Sequence, residues 1–185
     1  GASLHMLSAL TLSCSYSLRA LPDSLVCLYD LQILLLSFCH NLQNLPVSFG
    51  DLSNLRLLDL SGCRSLRLFP SSFVNLGSLE NLNLSDCIRL MGIPQNFEDL
   101  QKLEYLNFAG CYRVDLPVYC LTNLVNLKCL TLSNHTDIKD FPYSFTDLKR
   151  HLYLSRWWKY NWVHTQCNLK VCCFSFFLSF RSSVF

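Results

Sequence analysis

Leucine returns at fixed intervals through most of this chain. Leu7, Leu31, Leu55, Leu79, Leu103 and Leu127 are each 24 residues apart, and each opens a unit with the same apolar pattern. The third unit reads LRLLDLSGCRSLRLFPSSFVNLGS, with the skeleton LxxLxLSxCxxLxxLPxxFxxLxx. A repeat of this length is one supersecondary step that cannot bury its apolar side alone, so successive units must stack into a coil. Within the unit the first leucine leads into a short alternation, which predicts a strand with Leu58 and Leu60 inward and Leu57 and Asp59 on the opposite face. The ends of these strands meet small residues: Ser13, Ser37, Ser61, Ser85 and Ser133, with Ala109 once.

The second half of each unit predicts a return path. Pro22, Pro46, Pro70, Pro94, Pro117 and Pro142 hold the chain extended, and the Ser or Asn that follows can start a short helical turn. Leu25, Phe49, Phe73, Phe97 and Phe145 then pack back onto the strands. Leucines at fixed offsets in a period of this length are the signature of a leucine-rich-repeat solenoid. The expected fold is α/β: a curved right-handed superhelix with short parallel strands on its concave face and irregular or short helical turns on its convex face. Residues 1–154 form the repeat domain of about six units, and residues 155–185 form an aromatic and apolar C-terminal tail, a cap or an aberrant end. Unit five shortens by one residue before Leu116 and Pro117, and after Leu148 the beat is expected to fail, with Leu152 and Leu154 two residues early.

Charge and composition narrow the partners. Hydrophobic residues make up 51% of the 185 and charged ones only 15%, with a net charge of +2, so neither nucleic acid nor a membrane surface is expected. The apolar run 171–180 is about half of the roughly 20 residues that span a bilayer. Residues 1–20 lack a basic start and a cleavage site, so no signal peptide is expected. Eleven cysteines suggest a disulfide scaffold until their positions are read. Cys39, Cys63, Cys87 and Cys111 occupy the ninth position of four neighbouring units, and His135 takes that place in the sixth. Equivalent side chains in stacked coils run parallel, with Cβ atoms slightly too far apart for a bridge. They read as a buried ladder of reduced thiols, whose donors satisfy carbonyls left stranded where each strand ends. That places the chain in the cytoplasm, with the nucleus as the alternative.

No catalytic set emerges, so no enzyme, cofactor or metal is expected. His164, Cys167, Cys172 and Cys173 lack a zinc spacing, and the sequons at Asn83 and Asn134 are chance matches without a secretory route. Arg64, Arg89 and Arg113 form a basic flank, either a solvated rim or a patch for an acidic partner. The third and fifth positions line the concave face and are not required by the fold, so a partner can act on them. Leu57, Asp59, Asn81, Asn83, Tyr105, Asn107 and Thr131 are the expected protein-binding residues, with Tyr112 and Arg113 at the edge. Tyr105 and Tyr112 are the anchor candidates, because aromatics dominate interface hot spots.

The phrases LSFCHNLQNLPVSFGDLSNLRLLDLSGCRSLRLFPSSF and LEYLNFAGCYRV resemble the repeat region of plant intracellular nucleotide-binding leucine-rich-repeat disease-resistance proteins. The resemblance covers residues 7–154 and rests on the form LSGCxxLxxLPxSFGxLxNL. It implies a module that recognises pathogen-derived or host proteins and restrains a nucleotide-binding switch domain of the same full-length chain. The GxxxxGK[ST] phosphate loop of that switch is absent from this sequence, so only the recognition module carries over. Two other readings stand beside it: an intracellular scaffold or ubiquitin-ligase substrate adaptor on the same solenoid, and a truncated gene product without independent function.

Overall fold

The computed structural model describes residues 6–115, 120–121 and 123–132, and the backbone of 153–155. Seven short parallel strands form one sheet in chain order: β1 Ala9–Thr11, β2 Ile33–Leu35, β3 Leu57–Asp59, β4 Asn81–Asn83, β5 Tyr105–Asn107, β6 Cys129–Thr131 and β7 Tyr153–Ser155. Each pairs with the next at the same register, so Leu10, Leu34, Leu58, Leu82, Leu106, Leu130 and Leu154 stand opposite one another. A three-residue strand has no stability of its own, and stacking supplies both its hydrogen bonds and its core. The architecture is a leucine-rich-repeat solenoid, with the strands lining its concave side.

The last strand corrects one expectation. β7 keeps the 24-residue register, with Leu154 opposite Leu130, so the beat does not fail after Leu148. Leu154 is the fourth residue of its unit and arrives on time. The first- and sixth-position leucines are replaced by His151 and Arg156, which hides the unit from a leucine count. Ser155 is the last described residue, and the tail beyond it lies outside the described residues, as do Leu116, Pro117, Ser133, Asn134, His135, Pro142 and Phe145.

The inward face is continuous. Leu31, Leu34, Leu36, Leu55, Leu58, Leu60, Leu79 and Leu84 are wholly buried, as alternation requires. In the first coil Leu7, Leu10 and Leu12 pack against this core but stay half-exposed. From the return path come Phe49, Phe73 and Phe97, also wholly buried, with the rings of Phe49 and Phe73 parallel at 6.1 Å between centroids. Phe69 closes on Phe73 at 4.4 Å.

The return path is extended at Pro22 and Pro70 (φ −67° and −65°), as a proline dictates. Short 3-10 turns follow at Asp23–Cys27, Phe49–Asp51, Ser71–Asn75 and Phe97–Asp99. Ser48 and Asn96 stand at the N-cap of two of these turns and Ser71 opens a third, as expected, but none of the four is capped by a side-chain hydrogen bond. Turns this short expose few N–H groups, and Ser72 works between coils instead. Its hydroxyl donates to Val47 O at 2.6 Å and accepts from the Gly50 N–H at 3.1 Å. Gly50 is needed there, because a Cβ would lie 1.9 Å from Ser72 O. A second row of backbone bonds runs along the flank beyond the strands: Gln43 N–H to Arg19 O, Met91 N–H to Arg67 O and Asp115 N–H to Met91 O.

Candidate functional site

The sheet register places the predicted concave residues together. Leu57, Asn81, Tyr105 and Cys129 form one row across the strands, and Asp59, Asn83, Asn107 and Thr131 form the next. All eight are half-buried, while Leu58, Leu82, Leu106 and Leu130 between them face inward. Neighbouring strands lie about 4.8 Å apart, so each row presents side chains at a fixed pitch. The face changes character along its length. Ile33, Leu35 and Leu57 make its N-terminal part apolar, and Asn81, Asn83, Tyr105 and Asn107 make its middle amide-rich and aromatic. Tyr112 and Arg113 are exposed but sit past the end of β5, on the flank rather than on the face.

The fifth position is not free of duties to the fold. Asp59 Oδ1 accepts the N–H of Ser61 at 2.9 Å, Asn83 Oδ1 that of Ser85 at 3.1 Å, and Asn107 Oδ1 that of Ala109 at 2.9 Å. The strand has just ended, so the seventh-position N–H falls outside the ladder, and a short side chain two residues earlier turns back to meet it. The expectation that third and fifth positions are equally dispensable is therefore corrected: Leu57, Asn81 and Tyr105 at the third carry no such bond, while the fifth carries a turn wherever it is Asp or Asn. Those bonds use the Oδ1 atoms of Asn83 and Asn107 and not their Nδ2 groups. The sequon asparagine Asn83 is thus engaged within a strand.

Immediately past each of the first five strands the chain enters the left-handed region at the eighth position: Cys14, Phe38, Gly62, Asp86 and Gly110 have φ between 57° and 75°. This reverses the chain and aims the N–H groups of Cys14, Phe38, Gly62 and Asp86 at the seventh-position carbonyl of the next coil, as from Phe38 to Ser61 O and from Gly62 to Ser85 O, both 2.7 Å. Glycine meets the geometry without strain, and Phe38 is a bulky exception. Its ring covers Gly62, where a Cβ would be 2.7 Å away. The signal in the sequence was Gly62 and Gly110 at equal spacing.

The cysteine ladder forms as expected. The thiols of Cys39, Cys63, Cys87 and Cys111 donate to the carbonyls of Leu12, Leu36, Leu60 and Leu84 at 2.9–3.2 Å, each reaching the preceding coil's strand end. All four are free and wholly buried. Burial raises the Cys39 thiol, pushes Cys63 and Cys111 up to about 12, and holds Cys87 well above its ordinary value. A thiolate there would lose its hydration, so these sulfurs are packing groups with a weak donor.

A further row escaped sequence reasoning. The second position carries Gln32, Arg56, Glu80, Glu104 and Lys128 beside the strand starts, with Arg56 paired to Glu80 at 3.8 Å and Lys128 to Glu104 at 2.6 Å. The bond to Glu104 raises the Lys128 ammonium above its ordinary value. Equal spacing of charged residues of both signs was the available signal. Among the described residues no group of three or more His, Cys, Asp or Glu could hold a metal ion, and no helix is long and apolar enough to cross a membrane. The arrangement offers graded shape and hydrogen bonding over a rigid sheet.

No family model and no curated protein sequence matches the chain. Among solved structures it is similar to the leucine-rich repeat domain of the type III effector XopL, at 26% identity and a TM-score of 0.69, over 80% of this chain and 51% of that one. It is also similar to a TDR receptor (24% identity, TM-score 0.53, 74% and 24% of the two chains). A third is the Arabidopsis receptor kinase HAESA in complex with the peptide hormone IDA and the co-receptor SERK1 (26%, 0.50, 74% and 23%). The chain spans about half the length of the XopL domain and about a quarter of each receptor chain. These are leucine-rich-repeat structures, and no enzyme family is indicated.

Proposed function

We propose that this solenoid is a protein-recognition module of plant disease-resistance type, which binds a pathogen-derived or host protein along its concave face without catalysis. The observation that carries the proposal is the convergence at the middle of the face. Tyr105 stands opposite Asn81, beside Asn83 and Asn107, in a row that the backbone and not the side chains holds in register. An aromatic anchor with amides around it is the composition of an interface centre. The phrases LSGCRSLRLFPSSF and LEYLNFAGCYRV favour the plant intracellular class, with the cytoplasm or nucleus as the compartment and a nucleotide-binding switch domain of the full-length chain as a second partner. That HAESA is recorded with a peptide hormone and a co-receptor supports a polypeptide as the ligand class.

Photo-crosslinking from position 105 in plant tissue tests this, with position 102 on the convex side as the comparison. A protein adduct specific to position 105 is the expected result. Against that protein, Tyr105→Ala weakens binding by about 1–3 kcal/mol, whereas Lys102→Ala changes it by less than about 0.5 kcal/mol. Equal loss from both, or adducts at position 102 alone, rejects the concave-face reading.

A further inference from the structure

The charges of the described residues are sorted by side. Past the strands, on the tenth to thirteenth positions of the coils, lie Arg19, Arg64, Arg67, Arg89 and Arg113, all exposed. Across on the return path lie Asp23, Asp30, Asp51, Glu98 and Asp99, with Lys102 as the lone base. The ion pairs of the described residues join second-position groups, Arg56 with Glu80 and Lys128 with Glu104, so none of the five flank arginines is neutralised. Asp115 is exposed at the thirteenth position within the flank and Asp86 at the eighth beside it, and among the described residues neither forms an ion pair with an arginine.

The flank is also built as a continuous surface. Backbone bonds tie Gln43 to Arg19 and Met91 to Arg67, and Asn41 Nδ2 donates to Tyr16 O at 2.6 Å in the preceding coil. Arg64 and Arg67 in the third coil, Arg89 in the fourth and Arg113 in the fifth therefore stack on adjacent coils. Met91 and Tyr112 on this flank, and Leu68 next to Arg67, are about half exposed, at 49%, 49% and 55%. A solvated rim needs no such mixture. Arginine, tyrosine and methionine are the residues enriched where proteins meet, and lysine, which is depleted there, is missing from this flank among the described residues. Arginine's planar fork also matches carboxylates two bonds at a time.

We infer that this arginine flank, separate from the concave face, is a second docking surface whose occupant is an acidic segment of a protein partner, its Asp and Glu carboxylates bridging the guanidinium groups of Arg64, Arg89 and Arg113 while apolar side chains cover Leu68, Met91 and Tyr112. The apolar gaps between the charges favour a polypeptide over a nucleic acid, whose phosphates call for a continuous basic track. The full chain is titrated with a fluorescent peptide alternating glutamate and leucine, and separately with a single-stranded oligonucleotide of equal charge, at about 0.15 M salt where only close charges act. The peptide binds, and Arg89→Glu weakens it by about fivefold or more, whereas Lys102→Glu, an equal change in net charge, alters it by less than about twofold. Arg113→Glu behaves as Arg89→Glu does, while Tyr105→Ala leaves peptide binding unchanged, so failure here is distinguishable from failure of the concave-face reading. Equal loss from Arg89→Glu and Lys102→Glu overturns the proposal in favour of diffuse attraction. Oligonucleotide binding as tight as the peptide's, or no peptide binding, overturns it as well.

Discussion

The two sides of each coil are held together by different forces. On the concave side the backbone sets the register: every strand pairs with its neighbour at a shift of 24 residues, whether the residues are leucine, asparagine or tyrosine. On the return side, side chains carry much of the stacking between coils, through the Phe49–Phe73 stack, the Ser72 bridge and the close approach at Gly50. The difference teaches where variation is tolerated. A side chain that the backbone does not need can be given to a partner, while one that closes a coil cannot. The fifth-position asparagines lie between these cases, with an oxygen serving a turn in a bond that does not use the Nδ2 group.

Substitutions rank along this comparison. Phe73→Ala on the return side has the largest expected effect, about 3–5 kcal/mol of destabilisation in a denaturant titration, because it opens a cavity against two other rings. Gly50→Ala follows at about 1–3 kcal/mol, since its methyl meets the Ser72 backbone carbonyl and the two coils must move apart. A wild-type melting temperature in either variant would mean that the return side is not what holds the coils.

The thiol ladder joins the two sides and gives a pH signature. Its folded thiols are raised above their ordinary value of about 9, to about 12 at Cys63. Between those values the unfolded chain releases protons that the folded chain retains. Stability is therefore full below about pH 9 and falls as pH rises towards 12, at about 1 kcal/mol per pH unit for each such thiol. Cys63→Ala removes one thiol's share of that slope, at some cost in stability from lost volume. A slope that stays the same in the variant would show that this thiol ionises in the folded state.

Smaller effects separate the two strand positions. Asn83→Ala leaves the Ser85 N–H without its acceptor and costs about 1 kcal/mol. Tyr105→Ala, at the third position, changes stability by less than about 0.5 kcal/mol. Similar values for the two would erase the distinction between Asn83, which bears a turn, and Tyr105, which does not.

Period and alternation alone determined the solenoid, the parallel strands, the inward leucines, the phenylalanine positions and the cysteine ladder. Each follows from repetition of one local rule, so every unit repeats the same signal. The concave strip was legible for the same reason, since a fixed offset from Leu55 or Leu103 names the outward residues. Only the tertiary structure decided which of those residues also serve the fold. Asp59 and Asn83 look like free polar groups until the strand is seen to end at them, leaving an N–H two residues on. The persistence of register to Tyr153–Ser155 was likewise invisible, because backbone pairing needs no leucine where His151 and Arg156 stand. The sorting of charge between flank and return path belongs to the same class: it depends on which positions of separate coils stack, and that is a property of the closed coil and not of neighbours along the chain.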